Sequence, residues 1–120
     1  MSDFQLGVAE SRFADIIWEK EPLSSGELVK LSEEGLGWKK STTYTVLKRL
    51  CEKGIFRNEK GEVTSLVSKD EFYSLQSEKF VKDTFDGSLP AFFAAFTKRK
   101  SLTAEEVREI QKMIDEYKEV

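Results

Sequence analysis

Apolar positions in the first half of the chain fall into three helical stripes and then, briefly, into alternation. Between residues 8 and 20, Phe13, Ile16 and Ile17 share one face at helical spacing, which predicts a helix that Pro22 ends. Ser24 stands three residues before Glu27, the spacing of a capping box, and Leu28 and Leu31 give the second helix its apolar face. Gly35 and Gly37 are expected to break it and open a turn. A third helix is predicted over 40–53, with Thr43, Val46, Leu47 and Leu50 facing inward and Gly54 as its stop. Two β-prone runs follow, 55–58 and 63–67, joined through Glu59-Lys60-Gly61-Glu62, which reads as a hairpin.

Beyond Ser68 the pattern is helical throughout. Ser68 and Glu71 have capping-box spacing and open a segment carrying Phe72, Leu75, Phe80, Val81 and Phe85, which Asp86-Gly87-Ser88 interrupts. Leu89, Phe92, Phe93 and Phe96 then fall at i, i+3, i+4 and i+7, with Ala91, Ala94 and Ala95 between them. A third box, Thr103 with Glu106, precedes a narrow seam of Val107, Ile110, Ile114 and Tyr117. This half holds more aromatic surface than short helices without a sheet can cover, and each buried Phe contributes about 1.5–3 kcal/mol. The cover is expected from the same segment of a second chain; the alternative folds these helices back onto the N-terminal half.

The fold class is therefore mainly α, of α+β type. A winged helix-turn-helix with a small β-hairpin wing occupies 1–68 and a helical dimerisation region occupies 69–120. The dimer interface is expected to draw on Phe80, Phe85, Leu89, Phe92, Phe93, Phe96, Val107, Ile110, Ile114 and Tyr117.

Net charge, −3 overall, becomes informative once divided along the chain. Residues 1–37 carry eight acidic and three basic side chains, whereas 38–60 carry two acidic and seven basic. A basic segment in an acidic chain is the footprint of a nucleic-acid contact, or else a solvated helix face. The chain has no histidine and one cysteine, so neither a histidine-based triad nor the usual transition-metal site is available, and no cofactor is expected. No phosphate-binding glycine loop is present. Cys51, beside the apolar stripe of the third helix, reads as a small buried hydrophobe. A single cysteine, an N-terminus without a secretory pattern and no apolar run of membrane-spanning length together predict a cytoplasmic protein with no membrane partner.

The inward stripe of the third helix leaves Ser41, Thr42, Tyr44, Thr45, Lys48 and Arg49 outside, with Lys39 and Lys40 at its start. Short hydroxyl side chains permit close approach to base edges in a major groove, and the cations can reach phosphates. Packing alone would hardly select Thr42-Thr43-Tyr44-Thr45 in a helix, because these residues lower helix propensity.

Trp38, Thr42, Thr45, Leu47, Arg49, Leu50, Lys53 and Gly54 resemble the W-x3-T-x2-T-x-L-x-R-L-x2-K-G pattern of the penicillinase repressor family. Glu10, Phe13, Ile16, Ile17 and Trp18 are similar to its first helix. Ser68, Glu71 and Tyr73, Gly87-Ser88-Leu89, and Leu102-Thr103 with Glu106 resemble its C-terminal arm. The resemblance implies a homodimeric repressor on a near-palindromic double-stranded DNA operator. It implies DNA contacts at Lys40, Ser41, Thr42, Tyr44, Thr45 and Arg49, and a regulatory protease or sensor protein as a further partner. Three features depart from the pattern. The wing reads Gly61-Glu62-Val63-Thr64-Ser65, without the arginine and tyrosines usual there. Ala95-Phe96 stands where the β-lactam-responsive members are cleaved at Asn-Phe, and the terminal cysteine cluster of the copper-responsive members is missing. The alternative reading is a winged-helix module that binds protein and has weak or no DNA binding.

Overall fold

The computed structural model describes residues 5–117; the opening Met1-Ser2-Asp3 lies outside them. Among the described residues, six helices and three short strands follow in the order α1 (Val8–Lys20), β1 (Leu23–Ser24), α2 (Ser25–Leu36), α3 (Lys40–Glu52), β2 (Phe56–Glu59), β3 (Glu62–Ser65), α4 (Lys69–Phe85), α5 (Leu89–Arg99) and α6 (Ala104–Glu116). The strands form one antiparallel sheet in the order β1-β3-β2. This is the winged helix that the pattern predicted, with one strand added. The residues divide into two compact units, which part between Lys79 and Phe80.

In the first unit each helix contributes its predicted apolar face to one core. Phe13, Ala14 and Ile17 of α1, Leu28 of α2, and Val46, Leu47 and Leu50 of α3 meet Leu23, Ile55, Phe56 and Val63. Complete burial of side chains this large accounts for most of what holds so small a domain together. Ser24 caps α2: its Oγ accepts the Glu27 N–H at 3.0 Å, as the capping box requires. Gly37 ends α2 in the left-handed region at φ 69°, where a side chain would be strained. Gly35 does not break the helix; it lies inside α2, since a lone glycine costs only about 1 kcal/mol there and the helix is held by packing.

The hairpin is tighter than the sequence implied. Its turn is Lys60-Gly61, both at positive φ, the two-residue loop whose twist suits paired strands. Ile55 is fully buried but outside the strand, because its backbone closes the helix end: its N–H donates to Leu50 O at 3.1 Å. Val67 likewise falls beyond β3, and its carbonyl accepts the Trp18 indole N–H at 3.0 Å. The two-residue β1, which pairs Leu23 with Val63 and Ser24 with Glu62, carries no periodic signal of its own.

Residue 68 was the expected boundary, yet the first compact unit runs on to Lys79. Phe72 is fully buried in its core, and the Trp18 ring packs against Phe56, Phe72 and Tyr73 at 5.3, 5.5 and 6.1 Å between centroids. The start of α4 therefore completes the aromatic core around Trp18. Lys69 adds an ion pair to Asp15 of α1 at 3.1 Å.

The second unit holds the end of α4 with α5 and α6. Asp86 and Gly87 take consecutive positive φ values of 55° and 81°, which turns the chain after α4. Ser88 then caps α5 by accepting the Ala91 N–H at 3.1 Å, and Thr103 with Glu106 forms the predicted capping box of α6. Phe80, Phe85 and Phe92 meet edge to face and Phe96 joins Phe92 at a tilt, a continuous group with neighbouring centroids 5.6–6.2 Å apart. No residue of α5 or α6 is buried in the single chain.

Candidate nucleic-acid interface

The outer face of α3 is the candidate site. Thr43, Val46, Leu47 and Leu50 are buried, and Ser41, Thr42, Tyr44, Thr45, Lys48 and Arg49 are exposed, a clean division of one helix into two faces. Lys39 is the N-cap residue and Lys40 opens the helix; both are exposed. No acidic residue occupies the first turn, so the N-terminal partial positive charge of the helix adds to that of the lysines.

Hydrogen bonds order part of this face. The Thr45 hydroxyl donates to Ser41 O at 2.9 Å, which leaves its oxygen to accept from a base amino group. Tyr44 reaches sideways: its hydroxyl donates to Ser25 Oγ at 3.2 Å, and the Ser25 N–H donates to Gly61 O at 2.8 Å. The wing turn and α3 are thus tied together through the first residue of α2. Arg49 Nη1 meets Glu10 Oε2 of α1 at 2.9 Å, and Lys53 Nζ donates to Gln5 O at 3.1 Å. Burial would raise the Glu10 pKa, but the Gly7 N–H bond and the Arg49 and Lys53 charges outweigh it and hold the carboxyl below its ordinary range.

The wing carries a different charge pattern. Register sets Arg57 opposite Thr64 and Glu59 opposite Glu62 on the outer face, while Phe56 and Val63 point into the core. Arg57 lies 3.7 Å from Glu59, so its charge is partly neutralised within the hairpin. Cys51 is half-buried rather than fully buried, packed against the core, and burial pushes its thiol pKa up. A thiol raised in this way is a poor nucleophile. Among the described residues no cluster of metal-ligating side chains occurs, and no helix is long and apolar enough to cross a membrane.

The proposed interface residues of the second half lie in a separate unit. Phe80, Leu89, Phe93, Phe96, Val107, Ile114 and Tyr117 are exposed, while Phe85, Phe92 and Ile110 are half-buried. The family model described as penicillinase repressor matches residues 6–116, which takes in both units.

The chain belongs to the penicillinase repressor family.

Members of this family are repressors and not enzymes, consistent with the lack of catalytic motifs in the sequence. The chain is 25% identical over 118 residues to the penicillinase repressor of Bacillus licheniformis, spanning 95% of this chain and 92% of that one. It is 22% identical over 116 residues to the methicillin resistance regulatory protein MecI of Staphylococcus aureus, spanning 93% and 94%. The solution structure of the DNA binding domain of the repressor BlaI matches with a TM-score of 0.54 at 24% identity, covering 59% of this chain and 93% of that chain. That likeness establishes the winged-helix fold.

Sequence reasoning found the two faces of α3 and missed what fastens them. Glu10 and Ser25 contact the outer face of α3 from 39 and 19 positions away, and no periodicity or spacing rule connects residues at such separations. The only sequence signal was the acidity of the first helix beside the basicity of the third.

Proposed function

We propose that this penicillinase repressor family protein acts in the cytoplasm as a homodimeric transcriptional repressor. Each protomer inserts α3 into the major groove of a near-palindromic operator. The observation that carries this reading is the basic, hydroxyl-rich outer face of α3 set against a buried inner face of Thr43, Val46, Leu47 and Leu50. Ser41, Thr42, Tyr44 and Thr45 read base edges, and Lys39, Lys40, Lys48 and Arg49 contact phosphates. The exposed apolar faces of α5 and α6, with the Phe80–Phe96 aromatic group, supply the surface a second copy covers.

A regulatory protease or sensor protein would act on the C-terminal arm, where Ala95-Phe96 lies exposed within α5. The second reading, a protein-binding module, draws support from the paired glutamates on the wing.

Footprinting on the DNA upstream of the protein's own gene at two salt concentrations tests the proposal. Protection of two half-sites about one helical turn apart, weakening steeply with salt, is the expected result. Absence of protection at low salt would overturn it in favour of the protein-binding reading.

A further inference from the structure

We propose that Glu10 is a positioning residue of the DNA interface, which holds the Arg49 guanidinium by one edge so that its remaining donors meet a phosphate. The inference rests on the DNA-binding role assigned to α3. Glu10 is itself held: its Oε1 accepts the Gly7 N–H at 3.1 Å while its Oε2 takes Arg49 Nη1 at 2.9 Å. Its side chain is 19% exposed, against 51% for that of Arg49, so the carboxylate is the fixed partner and the guanidinium the one that faces water. Arg49 lies one turn beyond Thr45 on the outer face of α3, and a guanidinium has five donors in a rigid fork. One bond to Glu10 leaves an edge suited to two phosphate oxygens. Without the anchor, a long side chain must be ordered at the moment of binding, and that cost appears as lost affinity.

Electrostatics alone predicts the reverse sign. A carboxylate near a phosphate backbone repels it, and its removal should strengthen binding. Glu10→Gln separates the two ideas, because the amide oxygen can still accept the Gly7 N–H while the charge and the strong pairing with Arg49 are gone. Affinity is to be measured on sonicated mixed-sequence duplex DNA at low salt, in the wild-type and Arg49→Ala backgrounds, with thermal melts of every variant. The expected result is about threefold to tenfold weaker binding from Glu10→Gln beside an intact Arg49, and no effect when Arg49 is already alanine. Tighter or unchanged binding overturns the proposal, as does an equal loss in both backgrounds, which marks a merely structural role. If Glu10→Gln unfolds, Arg49→Lys serves instead: it keeps the charge but cannot bridge two anions as a fork, and wild-type affinity in that variant would overturn the positioning role. A wild-type protein that binds no DNA would overturn the underlying assignment of α3 as well.

Discussion

Individual side chains on α3 fall into a buried set that fixes the helix in the core and an exposed set to which the proposed reading assigns the DNA contacts. Thr43 is fully buried, and its hydroxyl has no hydrogen-bond partner among the described residues, so it bears a desolvation cost without return. Thr43→Val keeps the shape and removes the polar atom; urea denaturation should show a gain of about 1 kcal/mol with DNA affinity unchanged. On the outer face, Arg49→Ala should weaken binding to all DNA sequences alike and flatten the salt dependence by about 0.9 per phosphate lost. Thr45→Ala should instead relax preference at particular base pairs if α3 enters the groove as proposed, since the bond to Ser41 O leaves the exposed hydroxyl oxygen able to accept. Titration of both variants against an operator and an unrelated duplex separates the two effects, and wild-type behaviour from both would remove α3 as the reader.

Among the elements, the wing is where charge and position conflict. The bonds from Tyr44 through Ser25 to Gly61 hold its turn beside α3, yet its outer face sets Glu59 against Glu62. Two carboxylates so placed repel both each other and an approaching phosphate. Glu62→Lys should therefore tighten DNA binding and steepen its salt slope, measured by titration at several salt concentrations. An unchanged slope would show that the wing stays clear of the backbone. The capping boxes are the contrasting case, because sequence spacing and structure agree at Ser24–Glu27 and Thr103–Glu106. A cap is a contact across three residues, and so it is visible in the amino-acid order itself.

For the molecule as a whole, the distribution of burial separates a self-sufficient unit from one that lacks cover. The first unit encloses Phe13, Phe56 and Phe72 completely, whereas in the second Phe93, Phe96 and Ile114 are 44%, 51% and 61% exposed. On the proposed dimer reading, replacing Phe92 and Phe96 together with Ser should shift the protein to monomer or aggregate in sedimentation experiments, since apolar surface of this extent is what a second copy would bury. An unchanged sedimentation profile would overturn the proposed arm.

What the amino-acid order settles by itself is whatever depends on neighbours a few residues apart. It placed α1 at 8–20, the inward and outward faces of α3, the helix caps and the aromatic stripe of the arm, because helical periodicity and capping act over one or two turns. Only the tertiary structure decided that Gly35 stays helical, that β1 exists, that Phe72 belongs to the first core, and that Glu10 grips Arg49. Each of these follows from contacts between segments distant in sequence, where packing and pairing outweigh the local propensities that a linear pattern records.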